Sequence, residues 1–246
     1  MHKPRRLVII PARAGSKRIP NKNIYKIANK PIILHSLEIL IESELFDTIL
    51  VSSDSPEILE ICKPLGVNAS KLRPDYLSTD EATLAEVLQY EAKTIKDQGE
   101  TFDEIWFYSA TACLLEKTDL VNAAERFRNE YKMDPVLSVI RSPTPVEWAL
   151  ELNQFNRLIP RFPSALTINS QNFSDTYFDA GCFAIFNAEM LLDKEIDIEI
   201  IQFSPHILPR FKAIDVDNLD DMLLVSRLFE QKILLKESSG YRKNEV

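Results

Sequence analysis

LVIIPARAGSKRIPNKN, residues 7–23, joins a short apolar run to a strongly basic segment. The apolar residues 7–10 predict a short buried strand, and a loop containing Gly15 and Ser16 follows directly. The loop and the residues after it carry four cations, namely Arg13, Lys17, Arg18 and Lys22. Such a loop between a strand and a helix brings backbone amides and a helix dipole to a ligand. With its cations, it predicts a site for a polyanion such as a triphosphate.

The acidic residues are distributed very differently from the cations. All 37 Asp and Glu lie after position 37, whereas residues 1–37 hold nine of the 29 Lys and Arg. The net charge is −8 and the pI is about 5.1. Duplex nucleic acid is excluded as the main partner because it needs a broad basic face rather than one basic loop. We therefore expect a small anionic ligand.

Composition predicts one globular domain over residues 1–246. The chain is 45% hydrophobic and 27% charged, which is enough to bury one large core. Cys62, Cys113 and Cys182 form no CxxC pair, so we expect core thiols in a reducing cytoplasm. The apolar run at residues 7–10 is too short for a signal peptide, and no later run could span a bilayer. A cytoplasmic protein without a membrane partner is expected.

Strand and helix patterns alternate along the chain. Pro31 begins an amphipathic helical pattern, Pro56 begins a second, and Thr83 with Glu86 forms a capping box before a third. Two further helices are predicted at 118–131 and 219–235. Strands are predicted at 46–52, 104–108, 136–140, 181–186 and 211–214. Alternation of this kind predicts an α/β fold with a mostly parallel sheet, helices on both faces, and ligands at the carboxyl ends of the strands.

Residues 141–179 break the alternation. They contain Pro143, Pro145, Pro160 and Pro163 together with polar runs. This composition predicts an extended arm or lid outside the sheet, and a contact with a second subunit.

A Walker A loop is the obvious competing interpretation of the basic loop. GxxxxGK[ST] requires two glycines, but Gly15 is the only glycine before Gly66, and Lys17 is followed by Arg18. The Walker interpretation is therefore set aside.

Asp215 and Asp217, in AIDVDN, are the second chemical feature. Two residues apart on a predicted strand, they would project to the same side and could hold one hard cation such as Mg²⁺. Alternatively, Asp217 and Asn218 simply cap the following helix. A triphosphate loop with a two-carboxylate metal site would suit nucleotidyl transfer.

At this point the sequence resembles the CMP-sugar synthetase family, whose typical signature is IPARGGSKxIPxKN. The residues in several of these motifs are more similar to those of pseudaminic acid cytidylyltransferases than to those of the sialic acid enzymes. Ala14 stands where the family often has glycine, which matters only if residue 14 needs a positive φ. The resemblance extends to FDTILVSSDSPEI (46–58), LRPDYLSTDEATLAEVL (72–88), YSATACL (108–114), INSQNFSDTYFDAGCF (168–183) and AIDVDNLDD (213–221).

The resemblance implies a Rossmann-like nucleotidyltransferase fold and a homodimer in which the arm reaches the partner subunit. It also implies that CTP binds with Mg²⁺ and that a nonulosonic acid hydroxyl attacks the α-phosphorus. Arg13 would then hold the triphosphate, Lys22 would stabilise charge on the α-phosphate, and Asp215 and Asp217 would bind Mg²⁺.

Further residues match the nucleotide and acceptor positions of the family. The nucleotide positions are Ala12, Gly15, Ser16, Lys17, Asn23, Arg73 and Ala82. The acceptor positions are Ser109, Thr111, Gln171, Tyr177 and Asp179. Simpler roles stay open for some of them: Arg73 as a surface arginine, and Gln171 and Asp179 as braces of the arm.

Several functions remain as alternatives. The acceptor could be N-acetylneuraminic, legionaminic or 3-deoxy-octulosonic acid instead of pseudaminic acid. From other classes, the chain could be a non-catalytic nucleotide-binding regulatory protein or a phosphate-binding scaffold.

Overall fold

The computed structural model of the chain describes residues 3–193 and 201–241. Its strands and helices alternate along most of the chain, as the sequence predicts. In chain order the elements are β1 (Arg6–Pro11), β2 (Lys26–Ile27), β3 (Lys30–Pro31), α1 (Ile32–Ser43), β4 (Thr48–Ser52), α2 (Pro56–Cys62), α3 (Leu84–Asp97), β5 (Glu104–Tyr108), α4 (Lys117–Asn129), β6 (Val136–Arg141), β7 (Leu150–Leu152), β8 (Leu158–Pro160), β9 (Tyr177–Asn187), α5 (Ala188–Leu192), β10 (Ser204–Ile207) and α6 (Leu219–Tyr241).

One six-stranded sheet organises these elements, in the strand order β10-β6-β9-β5-β1-β4. β1 pairs in parallel with β4 and β5, and β10 pairs in parallel with β6. β9 alone runs antiparallel, to both β5 and β6. The predicted mostly parallel α/β sheet is confirmed.

Both faces of the sheet are buried. Leu7 and Ile9 of β1 pack in a cluster with α3 and α5, whereas Val8 and Ile10 pack in a cluster with α1, α2 and α4. Successive side chains of a strand point to opposite faces, so a run of apolar residues fits a strand covered on both sides. α6 packs elsewhere, on a third cluster that includes Ile19, Ile27 and Val216. The residues that follow the basic loop, Ile19 and Ile27, therefore pack against α6.

Local signals placed most helix ends correctly. Thr83 and Glu86 form the predicted capping box at the start of α3. Gly66, at φ 75°, ends the short 3-10 helix Lys63–Leu65 that follows α2. Cys62, Cys113 and Cys182 are free and buried, as expected for core thiols.

The predicted strand at 211–214 is wrong. These residues form a turn and a loop, and the Phe211 side chain is 62% exposed rather than buried in a sheet. The strand that joins the sheet is β10, which includes Pro205. Among the strands of the described residues, β10 pairs only with β6, and an edge strand tolerates a proline that has no N–H to donate.

Residues 142–176 leave the sheet between β6 and β9, so an excursion is present. It is shorter than the predicted 141–179, because Arg141, Phe178 and Asp179 pair within the sheet. β7 and β8 pair as an antiparallel hairpin, and Trp148 donates a hydrogen bond of 3.1 Å to the Ala165 carbonyl within the same segment. We call residues 142–176 the arm. Its exposed apolar side chains are Leu150, Leu152, Phe155, Leu158, Ile159, Phe162, Leu166 and Ile168.

No helix within the described residues is long and apolar enough to cross a membrane.

Candidate functional site

The basic loop after β1 is fastened to the carboxyl end of β4. The Ala12 amide donates to the Ser52 carbonyl (2.8 Å), and the Ser53 hydroxyl donates to the Ala12 carbonyl (2.6 Å). The Ala14 amide donates to Asp54 Oδ1 at 2.8 Å. These bonds hold the start of the loop rigidly beside the strand ends, where ligands bind in sheets of this class. Ala14 does not have a positive φ, so glycine is not needed there.

A cavity of about 270 Å³ opens beside this loop. It is polar on the side of the loop and apolar near α3. Of the residues that the sequence assigns to the site, seven line it: Arg13, Lys22, Asn23, Arg73, Ala82, Ser109 and Thr111. The remaining lining residues are Pro11, Leu77, Thr79, Asp80, Thr83, Leu84, Val87, Phe107 and Ala110. Three separate segments of sequence therefore meet in one cavity.

Asn23 and Asp80 set the positions of the loop cations. The Asn23 side-chain amide donates to the Arg13 carbonyl at 2.9 Å. Arg13 Nη1 lies 2.8 Å from Asp80 Oδ1 and also donates to the Thr79 carbonyl at 3.1 Å. Lys17 pairs with the other oxygen of Asp80, and hydrogen bonds from Lys17 and Arg13 lower the pKa of that carboxyl. Asp80 thus bridges two cations of the loop at the cavity.

Arg73 is buried, so the interpretation as a surface arginine is wrong. Arg73 as a whole is 4% exposed. Its backbone amide donates to the Ser53 carbonyl (2.8 Å), and its side-chain Nε donates to the Ser78 hydroxyl (3.2 Å). Burial lowers the pKa of Arg73, and the negative charges of Asp54 and Glu91 oppose that effect. A buried cation at the wall of a cavity is suited to an anionic or strongly polar ligand.

Asp215 and Asp217 lie outside the cavity lining but next to it. Lys22 joins the two regions, because its Nζ donates to the Val216 carbonyl at 2.7 Å. Partial desolvation and the charge of Asp217 raise the pKa of Asp215. The Asp215 carboxylate packs against Gly181, where an added Cβ would lie 3.0 Å from its Cγ.

The strand geometry that we used to pair the two aspartates is wrong. Residues 213–217 form an irregular segment before α6. They do not continue a strand, because the predicted strand at 211–214 is absent. Asn218, rather than Asp217, caps the helix, because Asn218 Oδ1 accepts from the Asp221 amide at 3.0 Å. The Asp217 carboxylate instead pairs with Arg18 at 2.7 Å. The two aspartates are close enough to couple electrostatically, although they do not lie on a strand.

Other predicted nucleotide positions contribute backbone rather than lining side chains. Ala12 is fully buried at the end of β1, whereas Gly15 and Lys17 are exposed in the loop. An alanine Cβ at Gly15 would meet nothing within 4 Å, so the loop is open on that side. The Ser16 amide bonds the Ala14 carbonyl in a tight turn. Ligand contacts by these four residues stay predictions.

The predicted acceptor residues fall into two groups. Ser109 and Thr111 line the cavity, and their hydroxyls lie 3.0 Å apart. Gln171 lines a separate cavity of about 390 Å³ in the arm. Tyr177 is exposed at the start of β9, and Asp179 Oδ1 accepts a hydrogen bond from the Gly181 amide at 2.8 Å. Within one chain, the structure does not bring these last three side chains to the main cavity.

Sequence reasoning missed three carboxylates that surround the site. Asp54 holds the loop, Asp80 bridges its cations, and Glu91 is buried, where its Oε1 accepts a hydrogen bond from the Ser52 hydroxyl. Asp54 is the second residue after the predicted strand 46–52, and that position near a strand end was an available signal. Asp80 and Glu91 carry no comparable local signal, because only the folded chain brings them to the cations.

A mostly parallel sheet with a cation-lined cavity at the end of its first strand, and a carboxylate pair beside it, is an arrangement suited to nucleotidyl transfer. The sequence model of the family described as "Cytidylyltransferase" matches residues 7–157, and the chain belongs to this family.

Individual relatives agree with this assignment. The chain is 33% identical over 229 residues to a pseudaminic acid cytidylyltransferase of Campylobacter jejuni, covering 91% of this chain and 96% of the relative. It is 29% identical over 246 residues to an N-acylneuraminate cytidylyltransferase of Streptococcus agalactiae, covering 96% of this chain and 57% of that protein. A CMP:2-keto-3-deoxy-manno-octonic acid synthetase, solved with CTP, has the same fold, with a TM-score of 0.68 at 15% identity over 93% of this chain and 99% of that one.

Proposed function

We propose that the protein transfers CMP from CTP to the anomeric hydroxyl of pseudaminic acid and releases pyrophosphate. The observation that carries this proposal is the convergence of Arg13, Lys22 and Arg73 on one cavity beside the carboxylate pair. The assignment of pseudaminic acid rests on the similarity to the Campylobacter jejuni enzyme along nearly all of both chains.

The two loop cations would have separate tasks. Arg13, which lines the cavity, would bind the triphosphate and stabilise the departing pyrophosphate. Lys22, held to the Val216 carbonyl, would stabilise negative charge that develops on the α-phosphate during attack. Cations preorganised toward developing charge commonly contribute a few kcal/mol each to lowering the barrier. Asn23 keeps Arg13 in place through the Arg13 carbonyl.

Asp215 and Asp217 would hold Mg²⁺. Their donor set fits this ion, because Mg²⁺ is usually bound by one or two carboxylates with substrate phosphates and water completing its shell. When bound, the ion would neutralise phosphate charge and lower the pKa of the sugar hydroxyl.

The acceptor would approach the α-phosphate from the side of Ser109 and Thr111. Both hydroxyls line the cavity, and both can donate to or accept from a polar sugar acid. Gln171, Tyr177 and Asp179 are the further acceptor residues that we propose.

We also propose that the protein acts as a homodimer in the cytoplasm. The arm exposes eight large apolar side chains, an unusual concentration for a surface that stays in water. A second copy of the chain that covers the arm would bury them.

Incubation of the protein with CTP, Mg²⁺ and a panel of acids tests the reaction. The panel holds pseudaminic, N-acetylneuraminic, legionaminic and 3-deoxy-octulosonic acids, and pyrophosphate release is followed over time. We expect the highest kcat/KM with pseudaminic acid. Faster release with another acid would reassign the acceptor, and no release with any acid would refute the enzymatic function.

A non-catalytic nucleotide-binding protein is the alternative from another class. It would need neither a cation directed at the α-phosphate nor a carboxylate pair for a metal. Family membership, and the position of Lys22 beside the segment of Asp215 and Asp217, support the enzyme.

A further inference from the structure

Arg18 is a cation of the basic loop to which the proposed reaction gives no task. Its Nη2 lies 2.7 Å from Oδ1 of Asp217, one of the two proposed metal ligands. The Arg18 side chain is 68% exposed and that of Asp217 is 41% exposed, so water and ions can reach the pair. The contact therefore holds a positive charge against a carboxylate that the proposed metal would also use.

Packing of the neighbouring residues fixes the backbone on both sides of this pair. Ile19, next to Arg18, is 4% exposed and belongs to the same apolar cluster as Val216, which is fully buried next to Asp217. Lys22 Nζ adds its hydrogen bond of 2.7 Å to the Val216 carbonyl. The loop from Arg18 to Lys22 is therefore held beside the segment that carries Asp217. The ion pair follows from this packing rather than from a chance contact between two surface side chains.

A metal ion at Asp217 and the Arg18 guanidinium disfavour each other. Mg²⁺ binds carboxylate oxygens at about 2.0–2.1 Å, so an ion on Oδ1 would lie within a few ångströms of the Arg18 charge. Two positive charges at such a separation repel each other. Arg18 can move away, because so exposed a side chain can turn into water while Ile19 stays packed. The attraction between Arg18 and Asp217 is then lost, and this loss opposes metal binding.

We infer that Arg18 is an internal cation that competes with the metal for Asp217 and so sets how tightly the site binds a divalent ion. The inference rests on the proposed function, because it uses the proposed metal site. Arg18 is a positioning residue: it acts on Asp217 and touches no reacting atom. Removal of its charge should strengthen metal binding, whereas loss of a merely structural contact would leave metal binding unchanged or weaken it.

Metal binding to the full chain without nucleotide tests the competition. Mn²⁺ is the probe, because it prefers the same oxygen ligands as Mg²⁺, and the electron paramagnetic resonance signal of free Mn²⁺ gives Kd. The variants are Arg18→Gln, which removes the charge, Arg18→Lys, which keeps it, and Asp217→Asn, which identifies the site. Arg5→Gln is the matched control, because Arg5 directly precedes β1 at the end opposite the loop and pairs with Glu100 at 2.5 Å in another exposed ion pair.

Competition predicts a gain of metal affinity that depends on Asp217. We expect Arg18→Gln to lower the Kd for Mn²⁺ about threefold to fivefold, which is the range that an exposed ion pair contributes. Arg18→Lys and Arg5→Gln should both stay close to the wild-type Kd. The double variant of Arg18→Gln and Asp217→Asn should bind Mn²⁺ as weakly as Asp217→Asn alone. Because Arg18 is exposed, Arg18→Gln should melt at the wild-type temperature.

The outcomes separate the inference from the proposed function. An unchanged or higher Kd in Arg18→Gln, an equal decrease in Arg5→Gln, or a decrease that persists in the Asp217→Asn background would overturn the competition. Mn²⁺ binding that Asp217→Asn does not weaken would instead refute the proposed metal site. The transfer reaction itself is tested by pyrophosphate release, which this titration does not use.

Discussion

Replacement of Gly181 by alanine tests the link between the backbone of β9 and the carboxylate pair. Gly181 has a φ of 62°, and an added Cβ would lie 3.0 Å from Asp215 Cγ and 3.2 and 3.3 Å from its carboxylate oxygens. The left-handed backbone should cost alanine about 1–2 kcal/mol. For a chain of this length, that loss should lower Tm by roughly 2–8 °C. The contact must also push Asp215 away, so we expect the Mg²⁺ concentration for half-maximal turnover to rise about tenfold, equivalent to about 1.4 kcal/mol.

Gly66→Ala is the matched control for this experiment. Gly66 has a φ of 75°, and a Cβ there would meet nothing within 4 Å. Both variants should lose similar stability in thermal melts, but only Gly181→Ala should change the Mg²⁺ requirement in a pyrophosphate-release assay. Equal Mg²⁺ requirements in the two variants would refute the proposed role of Asp215 at this position.

The remaining predictions concern the cations, Asp80 and a buried histidine. Lys22→Ala and Asp217→Ala should each lower turnover about 100-fold, but only Asp217→Ala should raise the Mg²⁺ requirement; a Mg²⁺ titration that shifts equally in both would contradict separate roles. Asp80→Asn should free Arg13 and Lys17 for phosphate and tighten CTP binding severalfold by calorimetry, whereas weaker binding would mean that Asp80 mainly holds Arg13 in place. Burial lowers the pKa of His206 from 6.5 to about 4, and its Nδ1 has no hydrogen-bond partner among the residues that the structure describes. The unfolded chain therefore binds the proton more readily, and up to about 3 kcal/mol of stability should be lost as the pH falls from 6.5 to 4. Denaturant unfolding of His206→Leu should show a smaller loss over that range, and an identical pH dependence would show that His206 is not responsible.

The sequence predicted the parts of the fold that local pattern controls. The unbroken apolar run of β1 indicates a strand covered on both faces, and Thr83 with Glu86 marks the start of α3. The direction of β9 could not be predicted, because it depends on how the arm returns to the sheet. β10 was missed because Pro205 is unusual in a strand except at an edge.

The site was predictable where its residues adjoin strand ends. The loop after β1 holds Arg13, Lys22 and Asn23. One loop therefore brings all three to the cavity. The bridges from Asp80 to Arg13 and to Lys17 join residues far apart in sequence. Such contacts form only in the folded chain and leave no periodic signal. The segment of Asp215 and Asp217 was placed near the site, but its strand geometry was wrong.

Phosphorus NMR of one reaction shows directly whether the protein transfers CMP to the sugar acid. The wild-type protein is incubated with CTP, Mg²⁺ and pseudaminic acid, and Lys22→Ala is the parallel control. We predict that the triphosphate resonances give way to equal amounts of pyrophosphate and a phosphodiester that joins CMP to the sugar, with little product from Lys22→Ala. CTP that stays intact with the wild-type protein and every acid of the panel, or pyrophosphate accompanied only by free CMP, would contradict the account.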